Sequence, residues 1–135
     1  MCGIAGIIEC DTRDIDAALG RRMLRRLRHR GDDGRGEVSL PHVWLGHQRL
    51  AIIDLSELAA QPFASSDGRL HIVFNGEIYN HRELRAELAL EAPFRSRSDT
   101  EVLLRVWERW GVAGLTRVQG MFAFAVWDSQ NHSLT

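Results

Sequence analysis

Apolar, strand-like segments lie close to both ends of this 135-residue chain. The first, Ile4 to Ile8, is rich in β-branched residues and follows a glycine, which is typical of a buried strand. The second, Met121 to Trp127, predicts a final buried strand, and Ser133 to Thr135 predicts the start of its hairpin partner. Because a strand begins so near the chain start, the fold must place Cys2 at the tip of a sheet.

Further strands and an amphipathic helix are predicted between these segments. Val43 to Ile53 and Arg69 to Ile78 have strand composition, and Ser66-Asp67-Gly68 is a turn signal before the second of them. From about Asp14 to His29, apolar residues recur every three or four positions, which predicts a helix with arginines on its other face. Its expected inward side chains are Ile15, Leu19, Met23, Leu24 and Leu27.

Two more helices are indicated by the spacing of a capping box, in which Ser, Thr, Asp or Asn precedes Glu by three residues. Asn80 and Glu83 predict a helix through Glu91. Ser98-Asp99-Thr100-Glu101 predicts another, which Gly111 ends. Their expected inward residues are Leu84, Leu88 and Ala89 in the first helix, and Val102, Leu103, Val106, Trp107 and Trp110 in the second. Strands at both ends, with helices between further strands, predict an α+β fold with mainly antiparallel sheets.

Composition excludes several function classes. The chain is 44% hydrophobic and 26% charged with a net charge of -1, which is typical of an ordinary globular domain and argues against nucleic-acid binding. No apolar run approaches the roughly 20 residues of a membrane span. The first residues lack the basic region of a secretory signal, so we expect a cytoplasmic protein in which Cys2 and Cys10 stay reduced rather than form a disulfide.

No metal or phosphate site is predicted. The six histidines and two cysteines do not have the spacing of a zinc site. Asp32-Asp33-Gly34 lacks the alternating acids and terminal Glu of a calcium loop. The arginines between Arg21 and Arg30 could bind phosphate or nucleic acid, but on an amphipathic helix such residues more often form the solvated face.

Cys2 is a candidate nucleophile. A small side chain at this position permits removal of Met1, which leaves one residue with both a thiol and a free α-amine. The amine can then accept the thiol proton, directly or through a water, so nucleophile and base share a residue. Taken alone the feature is weak, because most cysteines at such positions are packing residues.

Asn75-Gly76 has two interpretations: a tight hairpin turn, or an oxyanion hole made of a side-chain amide and an unobstructed backbone N–H. Arg49, in a strand-like segment, is either part of a buried ion pair or the fork that binds a substrate carboxylate. Asp99 is either the N-cap of its helix or, helped by Glu77, the partner of a substrate ammonium group.

Seven segments in order resemble the class II glutamine amidotransferase domain, and more closely the version at the front of asparagine synthetases. The resemblance covers nearly the whole chain. The segments are Met1-Cys2-Gly3-Ile4-Ala5-Gly6, Arg28-His29-Arg30-Gly31, Gly46 to Asp54, Gln61-Pro62, Asn75 to Asn80, Ser98 to Glu101 and Gly120 to Ala125. This family folds as a four-layer αββα N-terminal-nucleophile hydrolase sandwich, which agrees with the α+β pattern.

The resemblance implies a role for each candidate residue. Cys2 attacks the side-chain amide of L-glutamine, forms a thioester and releases ammonia. The oxyanion hole is formed by Asn75 and Gly76, and the glutamine carboxylate is bound by Arg49. The remaining implied glutamine-binding residues are Leu50, Ile52 and Ile53, through backbone groups, and Glu77 and Asp99 at the amino end.

The sequence also departs from the family pattern. Asp32 stands where the family usually has Pro, which we expect to alter local rigidity more than chemistry. The ATP-binding synthetase domain, with its Ser-Gly-Gly-type loop, is not among residues 1–135. We therefore expect a C-terminally incomplete glutaminase domain that needs no cofactor itself, since ATP and Mg belong to the synthetase domain.

The expected partners are L-glutamine and a synthetase domain or subunit that uses the ammonia, with aspartate as the leading acceptor and a sugar or peptide as the alternative. A homodimer stays open, and neither nucleic acid nor membrane is expected. Two rival hypotheses remain. One is a non-catalytic regulatory or scaffolding domain of the same fold, and the other is a thiol redox protein that uses Cys2 and Cys10 without the usual Cys-x-x-Cys spacing.

Overall fold

Two antiparallel sheets and three α-helices make up the fold in the computed structural model, which describes residues 1–11 and 14–135. The strands are β1 (Gly3–Ile8), β2 (Gly34–Leu40), β3 (Val43–Arg49), β4 (Phe63–Ala64), β5 (Leu70–Ile78), β6 (Gly120–Asp128) and β7 (Ser133–Leu134). The helices are α1 (Ala17–Arg26), α2 (His81–Leu88) and α3 (Asp99–Trp110), with short 3-10 turns at Arg28–Arg30, Glu57–Ala59 and Gly111–Arg117.

The first sheet has the order β1-β3-β2, so the strand at the chain start lies at an edge. Its burial is only partial, which corrects the prediction of a buried strand there. The central strand β3 ends at Arg49, which corrects the predicted strand to Ile53, since residues 50–53 form a loop. The sequence prediction missed β2, because its glycines and charges conceal a strand whose alternate residues face solvent.

The second sheet has the order β4-β5-β6-β7. The turn predicted at Ser66-Asp67-Gly68 is confirmed and joins β4 to β5, with Gly68 at a φ of 73°. The hairpin partner predicted for β6 is also confirmed, as β7. In contrast, β5 continues through Asn75 and Gly76 and pairs with β6 along its whole length, so the hairpin-turn interpretation of Asn75-Gly76 was wrong.

Four layers stack in the order helix, sheet, sheet, helices, and the expected αββα arrangement is confirmed. α1 packs on the outer face of the first sheet, where Gly20 lies against the Trp44 ring. Apolar residues fill the space between the two sheets, namely Val43, Leu45, Val73 and Trp127. A larger core lies between the second sheet and the other two helices, and its buried members include Ile72, Phe74, Ile78, Leu84, Leu103 and Val106.

The helices follow their predicted positions with local corrections. α1 is shorter than predicted and buries Gly20 and Leu24, whereas Leu19 and Met23 are exposed. The helix turns its glycine to the sheet because the bulky Trp44 ring fills the space that a larger side chain would need.

The two capping-box predictions have different outcomes. Asn80 makes no cap bond, because its side chain binds the Gln119 N–H and the Arg117 carbonyl instead. In α3, Ser98 is the N-cap and accepts from the Glu101 N–H, and the predicted end at Gly111 is confirmed. The Glu101 carboxylate binds the backbone at residues 95 and 96, so the reciprocal half of the box is not made.

Candidate active site

Strand register brings three of the predicted site residues to one place between the two sheets. On β3, Val43 and Leu45 face the second sheet, and Arg49 points to the same side because strand side chains alternate. Since Gly3 opposes Gln48, continuing this register places Cys2 opposite Arg49. Cys2, Arg49 and Asn75 all line one pocket that opens at the ends of the sheets.

Cys2 is half-buried, with its sulfur against the loop that follows β3. The Leu50 N–H lies 3.3 Å from Cys2 Sγ, and the Leu50 carbonyl lies 3.5 Å from it. Arg30 Nε donates to the Cys2 carbonyl at 2.8 Å, which fixes the backbone beside the thiol. Met1 precedes it, exposed and at the mouth of the pocket, where its removal would leave the Cys2 amine close to its own sulfur.

Beyond Ile72, where its pairing with β4 ends, the β5 edge that faces the pocket pairs with no other strand among the described residues. In an antiparallel ladder, alternate residues direct their backbone groups to the same edge. At this edge the Phe74 N–H donates to Gln61 Oε1 at 2.6 Å, and the Ile78 N–H donates to Asp99 Oδ2 at 3.0 Å. Gly76 lies between these two residues, so its N–H belongs to the same open edge.

Gly76 is a position that requires glycine. Its φ is 157°, which side-chain-bearing residues rarely adopt, and a Cβ there would overlap the Met121 carbonyl oxygen. The neighbouring Asn75 side chain lines the pocket, and its Oδ1 is buried without a hydrogen-bond partner in the described structure. The pair therefore combines a backbone N–H on an open edge with an adjacent amide, which is the donor set that the oxyanion-hole interpretation needs.

Arg49 is buried and binds backbone rather than a carboxylate. Its Nη2 donates to the Asp54 carbonyl at 2.5 Å and to the Ser56 carbonyl at 2.9 Å. Within residues 1–11 and 14–135 no ion pair of Arg49 is found, so the buried ion-pair interpretation is wrong for the described structure. A guanidinium carries five N–H donors, and the two bonds described here leave others for a ligand in the pocket.

Asp99 is the first residue of α3 and 6% exposed. The N-cap is Ser98, so the interpretation of Asp99 as the cap was wrong. Burial raises the pKa of Asp99, although the hydrogen bond from Ile78 opposes that effect. One carboxylate oxygen is thus occupied by Ile78, and the other can accept a cationic group.

The remaining predicted residues lie at the rim. Leu50, Ile52 and Ile53 belong to the loop after β3 and line the pocket, with the Ile52 side chain exposed. Glu77 is exposed and also lines the pocket. All nine predicted site residues thus border one cavity. Asp32 lies outside it and forms an exposed ion pair with Arg28 at 3.2 Å.

Two buried polar residues of the pocket were missed by the sequence prediction. His47 Nε2 lies 3.2 Å from the Phe74 carbonyl. Gln61, whose Oε1 accepts from the Phe74 N–H, also donates from Nε2 to Thr100 Oγ1 at 3.1 Å. The pKa of His47 is lowered to about 4, mainly by burial and further by the nearby Arg49 charge, while the hydrogen bond between His47 and the Phe74 carbonyl opposes the shift. The available signal was period-two alternation, which places His47 on the same face as Arg49.

Among the described residues there is no group of three or more His, Cys, Asp or Glu arranged to hold a metal ion. No helix of the part that the structure describes is long and apolar enough to span a membrane. Cys2 and Cys10 are free thiols beyond opposite ends of the six-residue β1. At about 3.3 Å per strand residue they lie too far apart for a disulfide, which argues against the redox hypothesis.

Comparison with known proteins gives consistent matches. Residues 1–135 match the family model described as "Glutamine amidotransferase domain". Asparagine synthetase (glutamine-hydrolyzing) 1 of Bacillus subtilis is 38% identical over 99% of this chain and 22% of its own length. Asparagine synthetase B (glutamine-hydrolyzing) of Escherichia coli strain K12 is 39% identical over 96% of this chain and 24% of its own length. Amidase chyE of Penicillium rubens is 41% identical over 78% of this chain and 16% of its own length.

A solved structure shares the fold. The glutamine phosphoribosylpyrophosphate amidotransferase of Bacillus subtilis, complexed with ADP and GMP, superposes with a TM-score of 0.77 at 23% sequence identity. The match covers 96% of this chain and 35% of that one. The expected fold class is confirmed by this likeness. This chain spans about a fifth of the length of the two asparagine synthetases that it matches.

Proposed function

The chain belongs to the glutamine amidotransferase domain family, and on that premise we propose that it hydrolyses L-glutamine to glutamate and ammonia with Cys2 as the nucleophile. One observation carries the proposal: Cys2 on the first sheet and Asn75-Gly76 on the second border the same pocket. A nucleophile on one side and oxyanion donors on the other are what acyl transfer requires.

The reaction begins when the Cys2 α-amine, freed by removal of Met1, takes the thiol proton. Sγ then bonds to the side-chain carbonyl carbon of glutamine, and the carbonyl oxygen becomes negative. The protonated amine returns its proton to the leaving nitrogen as the C–N bond breaks, which releases ammonia and leaves a thioester. Water then adds to the thioester with the amine as base, and cleavage of the C–S bond frees glutamate and restores the thiol.

The oxyanion is bound by the Gly76 N–H and the Asn75 side-chain amide. Asn75 Oδ1 has no hydrogen-bond partner among the described residues, which supports an amide group that is available to a ligand in the cavity. Because both donors lie on a part of β5 that is paired with β6, they are fixed before the substrate arrives. Their contribution falls on the chemical step rather than on binding.

The α-carboxylate and the α-ammonium group, both on the α-carbon of glutamine, are bound by two residues of opposite charge that border the pocket. Arg49 binds the α-carboxylate with the donors that it does not use for the Asp54 and Ser56 carbonyls. Asp99, helped by Glu77 at the rim, accepts the α-ammonium group. Backbone groups of Leu50, Ile52 and Ile53 close the pocket over the substrate.

The ammonia serves a synthetase active site outside residues 1–135, and we propose aspartate as its acceptor. The support is similarity over nearly the whole chain to two asparagine synthetases whose names state glutamine hydrolysis. ATP and Mg act at that second site. The two free thiols fit a cytoplasmic protein. A sugar or peptide acceptor would be revealed by amidation of that compound rather than aspartate when the domain is joined to its synthetase.

A glutaminase assay tests the proposal. Purified chain, checked by mass for loss of Met1, is incubated with L-glutamine, and glutamate and ammonia are measured separately. We expect equimolar release of both, none with L-asparagine, and none from the Cys2→Ala variant. Processed, folded protein that releases no ammonia would favour the regulatory-domain hypothesis instead.

A further inference from the structure

We infer that His47 is a positioning residue of this site, which fixes the β5 backbone that carries Asn75 and Gly76 by donating a hydrogen bond to the Phe74 carbonyl. The inference rests on the proposed glutaminase function. It assigns His47 no contact with substrate. Its effect passes through the position of the oxyanion donors relative to Cys2.

The bond itself is well defined by chemistry. His47 lies on the central strand of the first sheet and is 1% exposed. Its Nε2 lies 3.2 Å from the Phe74 carbonyl oxygen, and a carbonyl only accepts, so Nε2 carries the hydrogen. Nδ1 is buried without a partner in the described structure, so no chain of hydrogen bonds leads from it toward a proton acceptor.

Phe74 needs these side-chain partners because its neighbouring strand is too short. The last β4–β5 pair joins Phe63 to Ile72, and the chain then leaves the sheet at Pro62. Gln61 takes the Phe74 N–H and His47 binds its carbonyl. A buried carbonyl without a hydrogen-bond partner is unfavourable, so its loss of the His47 bond would favour a shift of the strand.

The consequence for catalysis comes from where the bond lies. Cys2 extends from β1 of the first sheet, and the oxyanion donors lie on β5 of the second. His47, opposite Ile4 of β1, binds the residue directly before Asn75, so its bond joins the two sheets at the pocket. Without it, the sheet of the nucleophile and the sheet of the oxyanion donors can shift relative to each other.

Imidazole also suits the electrostatics of the pocket. Burial is the main cause that lowers the pKa of His47 to about 4; the Arg49 charge adds to it, and the hydrogen bond to the Phe74 carbonyl opposes it. The ring is therefore neutral near neutral pH. A neutral donor satisfies the carbonyl without a second positive charge beside Arg49. The Arg49 charge then stays available to a substrate carboxylate.

The test compares kcat and KM for glutamine hydrolysis in matched variants. His47→Leu removes the donor and His47→Gln returns an amide N–H near the position of Nε2, whereas the shorter His47→Asn cannot reach Phe74. We expect kcat to fall roughly 100-fold in His47→Leu and His47→Asn, as for a displacement of about 1 Å, with KM within about threefold of wild type. His47→Gln should recover kcat to within about tenfold.

His71→Leu is the control, because His71 lies on β5 and burial lowers its pKa, yet it does not border the pocket. Its Nδ1 has no hydrogen-bond partner among the described residues, as is the case for His47. The kcat of His71→Leu should equal that of wild type. In a Cys10→Ser background, alkylation of Cys2 by iodoacetamide needs no oxyanion hole and should proceed at the wild-type rate in His47→Leu. A wild-type alkylation rate together with a lowered kcat would show that the oxyanion donors are displaced in His47→Leu and that the variant is not unfolded.

The outcomes separate the two claims. A wild-type chain that neither hydrolyses glutamine nor reacts with its analogues would sink the proposed function, and the inference with it. An active wild type with unchanged kcat in His47→Leu would overturn the inference alone. If His47→Leu fails to fold, equal kcat values in the Gln and Asn variants would overturn it.

Discussion

The two walls of the pocket are built in different ways. The strand wall, residues 74–78 of β5 with Asp99, has a large apolar core behind it and binds through backbone groups fixed in a sheet. The loop wall, residues 50–58, directs Ile52, Leu55 and Leu58 to solvent at 69%, 75% and 64% exposure. Polar contacts hold it, from Asp54 to the Arg97 N–H and from Arg49 to two loop carbonyls.

Under the proposed function, the difference separates the oxyanion donors from the loop that encloses the substrate. Groups that must not move during charge development lie on the strand wall, where displacement disturbs a packed core. Groups that enclose the substrate lie on the loop wall, where few apolar contacts oppose movement. Changes to Asn75 and Gly76 on the strand wall should therefore lower kcat, and changes to the loop wall should raise KM.

Gly76→Ala should have the largest effect. The added Cβ would lie 2.5 Å from Phe122 Cα and closer still to the Met121 carbonyl oxygen, so the strands must separate. We expect at least a roughly 1,000-fold loss of kcat and a loss of roughly 2–4 kcal/mol in the free energy of unfolding. Steady-state kinetics and urea unfolding measure these two quantities.

Gly68→Ala is its control. Gly68 also has a positive φ, of 73°, but apart from its two chain neighbours no heavy atom of the described residues lies within 4 Å of the place that an added Cβ would occupy. It should lose roughly 1 kcal/mol of stability and keep full kcat. If the two variants lose activity equally, the strand wall is not special.

Asn75→Ala should reduce kcat roughly 100- to 1,000-fold with little change in KM, because one oxyanion donor is lost. Its thermal midpoint should hold or rise, since the buried Oδ1 has no partner to lose in the described structure. A variant that loses stability but keeps kcat would contradict the assignment of Asn75 to the chemical step.

His47, which binds the Phe74 carbonyl of the strand wall, should also give stability a pH dependence. The pKa of His47 falls from 6.5 to about 4 on folding, so the unfolded chain binds the proton more readily. The free energy of unfolding should therefore decrease as pH falls from 6.5 to about 4, by roughly 3 kcal/mol. The buried Asp99, whose pKa is raised, acts in the opposite direction. Urea unfolding across this range should show a smaller decrease in His47→Gln, and identical slopes would contradict the account.

Asp54→Asn should have the smallest effect and tests the loop wall. The Asp54 carboxylate accepts from Ser56 and from the Arg97 N–H at 2.6 Å, which joins the loop to the segment before Asp99. Weaker hydrogen bonds to the amide of this variant should loosen the loop, which should raise KM about tenfold and leave kcat within about threefold of wild type. Asp67→Asn, which alters a similar Ser-Asp turn away from the pocket, should change neither. A lower kcat at constant KM in Asp54→Asn would break the comparison.

The sequence predicted which residues form the strand wall, but it did not decide between a strand and a turn at Asn75-Gly76. The apolar stretch before Asn75 identified β5, and family resemblance pointed to Asn75 and Gly76, but local turn preference also favoured a hairpin. The structure has a strand there because β6 pairs with β5 from Leu70 to Ile78, a contact between residues far apart in sequence. Likewise, the partner of Phe74 was invisible, since His47 reaches it from another sheet.

The loop wall was harder to predict for a different reason. Leu50 to Ile53 is apolar and was predicted as strand, yet Ile52 is exposed and the chain turns away after Arg49. Composition favours burial of such residues, whereas here the requirement to border a pocket overrides it. Helix α3 was predicted well, because its periodicity, Ser98 cap and terminal glycine all agree.

The central claim is that Cys2 is a nucleophile that reacts with bound glutamine, and covalent labelling tests it most directly. The chain is incubated with a diazoketone analogue of glutamine, and its intact mass is measured before and after, with Cys2→Ala and Cys10→Ser as controls. The account predicts loss of Met1 and one adduct, absent in Cys2→Ala, retained in Cys10→Ser and prevented by excess glutamine. Processed, folded protein that gains no adduct, or an adduct that persists in Cys2→Ala, would contradict it.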